Sequence, residues 1–331
     1  MITVNPTKPF VVVRDHGGPL AALRSGVVAL GNFDGVHRGH RRVIATALAR
    51  AHALGRPAAA LTFEPHPRKF FKPDEPLFRL TDETSKLRLF AATGLDGAVV
   101  MTFDAALASL AAEEFVSRIL VDRLAISGAV VGSNFFFGRN RAGSPDFLTA
   151  EGLRHGFAVD VLPLLSDAGP PVSSGPIREA LAAGKVAEAM ELLSYPWFVT
   201  GTVIHGDKRG RDLGFPTANL RLDPACRLRH GVYAVRVGIG DKRHDGVASF
   251  GRRPMFTTPT PVLEVFLFDF SGDLYGATID VAFIGWIREE TSFPDLDALI
   301  RQMGEDASRA RAMLAAAPDA FPPLGSVKNA G

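Results

Sequence analysis

Two rhythms of apolar and polar residues divide the chain. In the first half, short apolar runs at 27–30, 58–63, 97–103, 129–132 and 158–162 alternate with stretches of helical period at 41–53, 86–92, 112–124 and 147–155. Such alternation predicts parallel strands joined by crossover helices, an α/β doubly wound sheet of Rossmann-like type that binds ligands at the carboxyl ends of its strands. A Gly/Pro/Ser-rich loop after residue 165 then leads into two short helices parted by Gly184. From 197 to 287 the helical period disappears, and runs such as WFVTGTVI, GVYAVRVGI and VLEVFLFDF alternate with turns. These predict a small antiparallel β-barrel, closed by a helix over 296–314. The division expected is a first domain over 1–186, a second over 187–318, and an Ala/Pro-rich tail over 319–331 that frays.

Composition narrows this picture. A length of 331 residues allows two separate cores, and 47% hydrophobic with 22% charged residues is the balance of a folded globular chain. Thirty-seven basic against 35 acidic residues leave a net charge of +2, so no global field argues for nucleic acid, while local clusters can still hold a small anion. Cys226, the single cysteine, excludes an intramolecular disulfide framework and a Cys-rich zinc site and fits a reducing, cytoplasmic setting. The amino terminus has no cleavable-signal pattern, and no segment approaches the roughly 18 apolar residues of a membrane span, so no membrane partner is expected.

The chemistry concentrates where the first buried run ends. GNFDGVHRGH (31–40) sets two histidines three apart where a helix is expected to begin, near Val36. The start of that helix presents unsatisfied N–H groups and the positive end of its dipole, an anion site at the strand's carboxyl edge. His37 and His40 would share one face there, Gly39 leaves room between the rings, and Gly31 and Gly35 let the backbone approach a ligand. Imidazoles can donate to phosphate oxygens and, when protonated, offset charge that builds at phosphorus. Surface histidines or two ligands of a metal are the competing readings. No Walker-type lysine motif is present to do this work.

The same ten residues resemble the signature of the H-x-G-H nucleotidylyltransferases, and in their longer form the amino-terminal module of the prokaryotic bifunctional riboflavin kinase/FAD synthetase family. The resemblance runs from about Val27 to about Asp306. TFEPHPRKFF (62–71) is similar to the family's F-x-P-H-P block, VVGSNFFFGRNRAG (130–143) to its flavin-side loop, and SSGPIREAL (173–181) to a segment that closes over the ATP phosphates. The resemblance implies nucleotide binding by Gly31, Asn32, Phe33, Gly35, Ser173 and Ser174, flavin binding by His66, Asn134 and Phe136, and catalysis by His37, His40 and Arg178. His66 between two prolines also reads as a structural turn residue, Phe135 to Phe137 as core, and Arg178 as a solvent-facing side chain. Gly175 stands where the family has threonine, which removes a hydroxyl from the nucleotide side.

GDKRGRDLGFPTANL (206–220) resembles the kinase module of the same family. Thr217 and Asn219 alternate with Ala218, so in extended chain both oxygens face one way, a donor pair suited to Mg2+. A proline-initiated turn with an Asn cap is the plainer reading. Gly206, Lys208, Gly210 and Arg211 form a basic, glycine-rich loop that the resemblance makes a flap over ATP phosphates; a solvated turn is the other possibility. Glu264 lies mid-strand among apolar neighbours, a costly place for a carboxylate without a partner or a task. Desolvation would move it toward a useful base, and the resemblance assigns the matching glutamate to the ribityl 5′-hydroxyl of riboflavin. A salt bridge to Arg252 or Arg253 is the alternative. Met255 and Ser249 depart from the family's usual residues on the flavin side.

The expected function is therefore ATP-dependent phosphorylation of riboflavin to FMN, then adenylylation of FMN to FAD with release of pyrophosphate. Mg2+ is the implied metal and ATP the co-substrate. Two rivals stand beside it: a single-function nucleotidylyltransferase for another phosphorylated vitamin, and a flavin- or nucleotide-binding protein whose sites have decayed.

Overall fold

A computed structural model describes residues 9–15, 20–166, 171–205, 217–251 and 261–327. They form two compact units, one drawn from 1–77, 81–173 and 323–331, the other from 78–80 and 174–322.

The first unit is a parallel sheet of β1 (Val11–Arg14), β2 (Val27–Leu30), β3 (Ala58–Glu64), β4 (Gly97–Thr102), β5 (Gly128–Gly132) and β6 (Ala158–Leu162), in the order β1-β4-β3-β2-β5-β6. Its helices are α1 (Arg38–Leu54), α2 (Pro67–Phe71), α3 (Glu83–Ala91), α4 (Ala105–Ser109), α5 (Ala112–Glu114) and α6 (Pro145–His155). The segment expected as one helix over 112–124 starts as α5 and continues over Phe115–Arg123 with π-type hydrogen bonding. All of β2 and nearly all of β3 are buried, which is why both read as continuous apolar runs. The chain winds outward from β2 in both directions, to β3, β4 and β1 on one side and to β5 and β6 on the other. The turns leaving β2 and β5 therefore emerge side by side at the switch point, where such sheets bind ligands.

The second unit is antiparallel. Strands β7 (Phe198–Thr202), β8 (Thr217–Arg221), β9 (Gly231–Ile239), β10 (Lys242–Gly251), β11 (Val262–Leu267) and β12 (Thr278–Arg288) pair in the order β7-β12-β9-β10-β11-β8. Just beyond β7, the Ile204 N–H donates to the Asn219 carbonyl of β8 at 2.9 Å, which bends the sheet toward a barrel. Tyr233, Phe250 and Phe283 fill its interior. Around it lie α7 (Ser174–Ala182), α8 (Val186–Leu193) and α9 (Leu296–Ala315). The sequence division assigns α7 to the first domain; here it groups with the second sheet, and Arg229 donates to the carbonyls of Leu181 (3.1 Å) and Ala183 (3.2 Å) at its carboxyl end.

The described residues after α9 continue to 327, and their first turn packs on β9. The Arg236 side chain of β9 is only 5% exposed. It donates to the carbonyls of Ala317 (2.7 Å), Pro318 (2.7 Å), Ala320 (3.2 Å) and Leu314 (3.2 Å), and its Nε to Asp245 (2.7 Å). A buried guanidinium needs its donors satisfied, and the end of α9 with the following turn supplies the acceptors.

Candidate active sites

In the first unit, the site is built by the turn between β2 and α1. Phe33 and Val36 take positive φ (53° and 36°), as does Gly35 (81°), so the chain reverses within a few residues. The reversal is pinned from outside: the Gly35 N–H donates to the Thr81 hydroxyl at 3.1 Å, and the Thr81 N–H donates to Asp34 Oδ1 at 3.2 Å. Phe33 is buried edge-on against Phe90 at 5.3 Å and packs below Gly31, where a Cβ would press its ring at 3.2 Å.

Helix α1 starts at Arg38, later than the sequence predicts, because His37 is its N-cap. His37 Nδ1 accepts from the His40 N–H at 3.4 Å, so in the neutral ring the proton resides on Nε2. The two imidazoles stack at 3.6 Å with 20° between planes, and Phe33 meets the His40 ring edge-on at 5.2 Å. At Gly39 a Cβ would sit 3.2 Å from the His37 ring and 3.5 Å from the Val172 carbonyl. The expected room for the rings is thus real, and Ser173 follows directly on the segment that borders it.

His40 Nδ1 is buried without a hydrogen-bond partner. A covered polar atom with no partner is uncommon, and a ligand oxygen is the kind of group that would complete it. Burial, then His37, then the Lys86 ammonium hold the His40 imidazole well below its usual range. It is a neutral hydrogen-bonding group rather than the protonated one the sequence also allows.

This depression has a sign for stability. The unfolded chain binds the His40 proton more readily than the folded one, so the contribution is intact above the ordinary imidazole value of about 6.5 and lost as pH falls below it. Thermal midpoints measured between about pH 7 and pH 5 should decline in the native chain, and His40→Gln should flatten that decline. An unchanged slope in the variant would contradict the assignment.

The other residues expected at the adenylyl site have their own local settings. His66 caps α2, its Nδ1 accepting from the Arg68 N–H at 3.1 Å, as the turn reading has it. Phe137 joins the core and Phe135 packs on it, while Phe136 is 44% exposed with the Arg141 guanidinium 5.3 Å from its ring centre. Asn134 is exposed at the end of β5. Arg178 belongs to α7 of the second unit, where its Nε donates to the Phe78 carbonyl at 2.6 Å; it is anchored rather than solvent-facing.

The second site is a patch across three neighbouring strands. Register places Asn219 of β8 opposite Glu264 of β11, with Ser249 of β10 opposite Glu264 on its other side. Thr217 stands opposite Phe266. Along β11, Leu263, Val265 and Leu267 are buried and Val262, Glu264 and Phe266 are half-buried, so Glu264 belongs to the more open face and avoids the full burial expected. Asn219 is 4% exposed, and its Nδ2 donates to the Thr217 carbonyl at 3.2 Å, which orients the amide. Among the described residues no group of three or more His, Cys, Asp or Glu side chains could hold a metal. A cation here would rest on the oxygens of Thr217 and Asn219 beside Glu264, a hard-donor set that suits Mg2+. Gly206, Lys208, Gly210, Arg211, Arg252, Arg253 and Met255 lie outside the described residues.

Two participants escaped the sequence reading. Glu290 packs its carboxylate over Gly251, in space a Cβ would fill, and burial together with the nearby Glu264 charge pushes its carboxyl up. Lys86 reaches from α3 beneath the first turn. A lysine three residues before Leu89 and four before Phe90 shares their buried face, and that spacing was the available signal.

Known proteins give the same division. Residues 20–176 match the family described as FAD synthetase, and residues 193–314 the family described as riboflavin kinase. The bifunctional riboflavin kinase/FMN adenylyltransferase of Pseudomonas fluorescens is 42% identical over 90% of this chain and 95% of its own length. Its counterparts from Escherichia coli K12 (39% identical, 89% and 95% covered) and Bacillus subtilis 168 (34%, 94% and 97%) are similar throughout. A crystal structure described as a macrolide-efflux protein from Streptococcus pneumoniae is also similar, with a TM-score of 0.81 and 30% identity over 91% of this chain and 99% of that one. Among the described residues no helix is long and apolar enough to cross a membrane. With both family regions present and relatives aligned over nearly their full lengths, the chain belongs to the bifunctional riboflavin kinase/FMN adenylyltransferase family.

Proposed function

We propose that this chain converts riboflavin to FMN in its second unit and FMN to FAD in its first, with ATP as co-substrate of both steps. The observation that carries the reading is the opposition of Asn219 and Glu264 across β8 and β11, in a chain that also stacks His37 on His40 at the head of α1.

In the kinase step Glu264 takes the proton of the ribityl 5′-hydroxyl, whose oxygen then attacks the γ-phosphorus of ATP as ADP departs. Half-burial keeps the carboxylate reachable, and the oriented Asn219 amide lies beside it. Thr217 and Asn219 would hold Mg2+, which supplies charge neutralisation on the phosphates when bound. In the adenylyl step the FMN phosphate attacks the α-phosphorus in line and pyrophosphate leaves, without a bond to the protein. His37 Nε2–H and the unpartnered side of His40 steady the charge on the phosphates, beside the N–H groups that open α1. The basic loop with Lys208 and Arg211 covers the ATP phosphates of the kinase step, and Phe136, exposed at the switch point, offers a face to the flavin ring. Under this reading the partners are riboflavin, FMN, FAD and ATP, and the reactions run in the cytoplasm.

Incubation of the full chain with riboflavin, ATP and MgCl2, resolved by chromatography, should yield FMN and then FAD. Formation of neither would overturn the reading, and FAD from added FMN without any FMN from riboflavin would leave only its adenylyl half.

A further inference from the structure

We infer that Lys86 is a positioning residue for the adenylyl site: from beneath, it fixes the turn that carries the histidine pair. The inference rests on the reading of the first unit as an adenylyltransferase.

Lys86 is 2% exposed. Its Nζ donates to Glu64 Oε1 at 2.7 Å and to the Thr62 hydroxyl at 3.1 Å, and lies 3.5 Å from the Asn32 carbonyl. Thr62 passes the link on, its hydroxyl donating to that same Asn32 carbonyl at 3.1 Å. One ammonium thus ties α3, the carboxyl end of β3 and the second residue of the turn after β2. A buried ion pair of this kind is a costly way to gain stability alone, since apolar residues of similar size do as well or better. Its location gives it a task. The turn it holds leads directly into His37 and His40, and its charge is one of the two, with His37, that act on the His40 ring. Lys86 makes no contact with substrate in this scheme; Glu64 in turn keeps the ammonium compensated so that it can remain charged there.

The experiment compares the native full chain with Lys86→Met and with Lys86→Met combined with Glu64→Gln, which removes both buried charges and guards against simple misfolding. Three readings are taken: FMN adenylylation across about pH 5 to 8, riboflavin phosphorylation, and the titration of His40 by NMR, assigned with His40→Gln. In Lys86→Met the His40 titration and the acid limb of adenylylation should both move to higher pH, since a neighbouring positive charge is gone, and the adenylylation kcat should fall about tenfold or more. The double variant should move the same way by less, and riboflavin phosphorylation should be unaltered in both. If the double variant folds and keeps the native His40 titration and pH profile, Lys86 is structural only and the inference fails. If the native chain makes no FAD from FMN, the underlying reading fails instead, and the NMR titration still reports on Lys86.

Discussion

Glu264→Gln should leave riboflavin unphosphorylated, while FMN supplied directly is still converted to FAD. Glutamine keeps the shape of the side chain and the strand register that sets it between Asn219 and Ser249, so the barrel should fold as before. What disappears is the capacity to accept a proton, and removal of a general base typically costs about 10²- to 10⁴-fold in rate. Glu290 is a nearby carboxylate, but its carboxyl is held over Gly251, where burial pushes it up and the Glu264 charge only adds to that. The measurement is the initial rate of FMN formation, with FAD formation from FMN as control. Retention of more than about a tenth of the native rate would remove Glu264 from the role of base.

The converse result is expected when both histidines are replaced. His37→Ala with His40→Ala should cut FAD formation by about 10³-fold or more, since each removes a donor aimed at developing charge and single donors of this type are worth about 10²- to 10³-fold. The effects are coupled rather than additive, because the rings stack on one another and His37 caps the His40 N–H. Loss of the N-cap should cost the fold only about 1 kcal/mol, leaving the core of β2 and β3 to hold the unit together. FMN production from riboflavin is the internal control. Its loss together with FAD formation would refute two independent sites.

Much of this was legible in the residues themselves. A fully buried strand followed by glycines and paired histidines could be recognised because each feature is local: β2, its turn and α1 lie within 28 consecutive positions. The alternation of Thr217 and Asn219 was equally local, and strand pairing then supplied Glu264 as their neighbour. Failures arose where distant parts of the chain decide. Three apolar residues, Val11 to Val13, followed by Arg14, were not enough to announce β1. A histidine is a rare cap, so α1 was expected to begin too early. For Arg178, expected at the ATP phosphates with a solvent-facing side chain as the alternative, the anchor on the Phe78 carbonyl was hidden because that acceptor is 100 residues away. The three phenylalanines of 135–137 took three different environments, since a turn has no period to sort them. Lys86 carried its own signal in the helical spacing, but nothing in sequence could reveal that Thr62 and Asn32 converge on it.

The grip of Arg236 on the residues past α9 redefines where the second unit ends. A chain cut soon after the last helical turn would lose the Ala317, Pro318 and Ala320 oxygens and leave the Nη1 donors of a buried guanidinium without acceptors. The apparent appendage is a stopper, and bulky fusions belong beyond it rather than in its place.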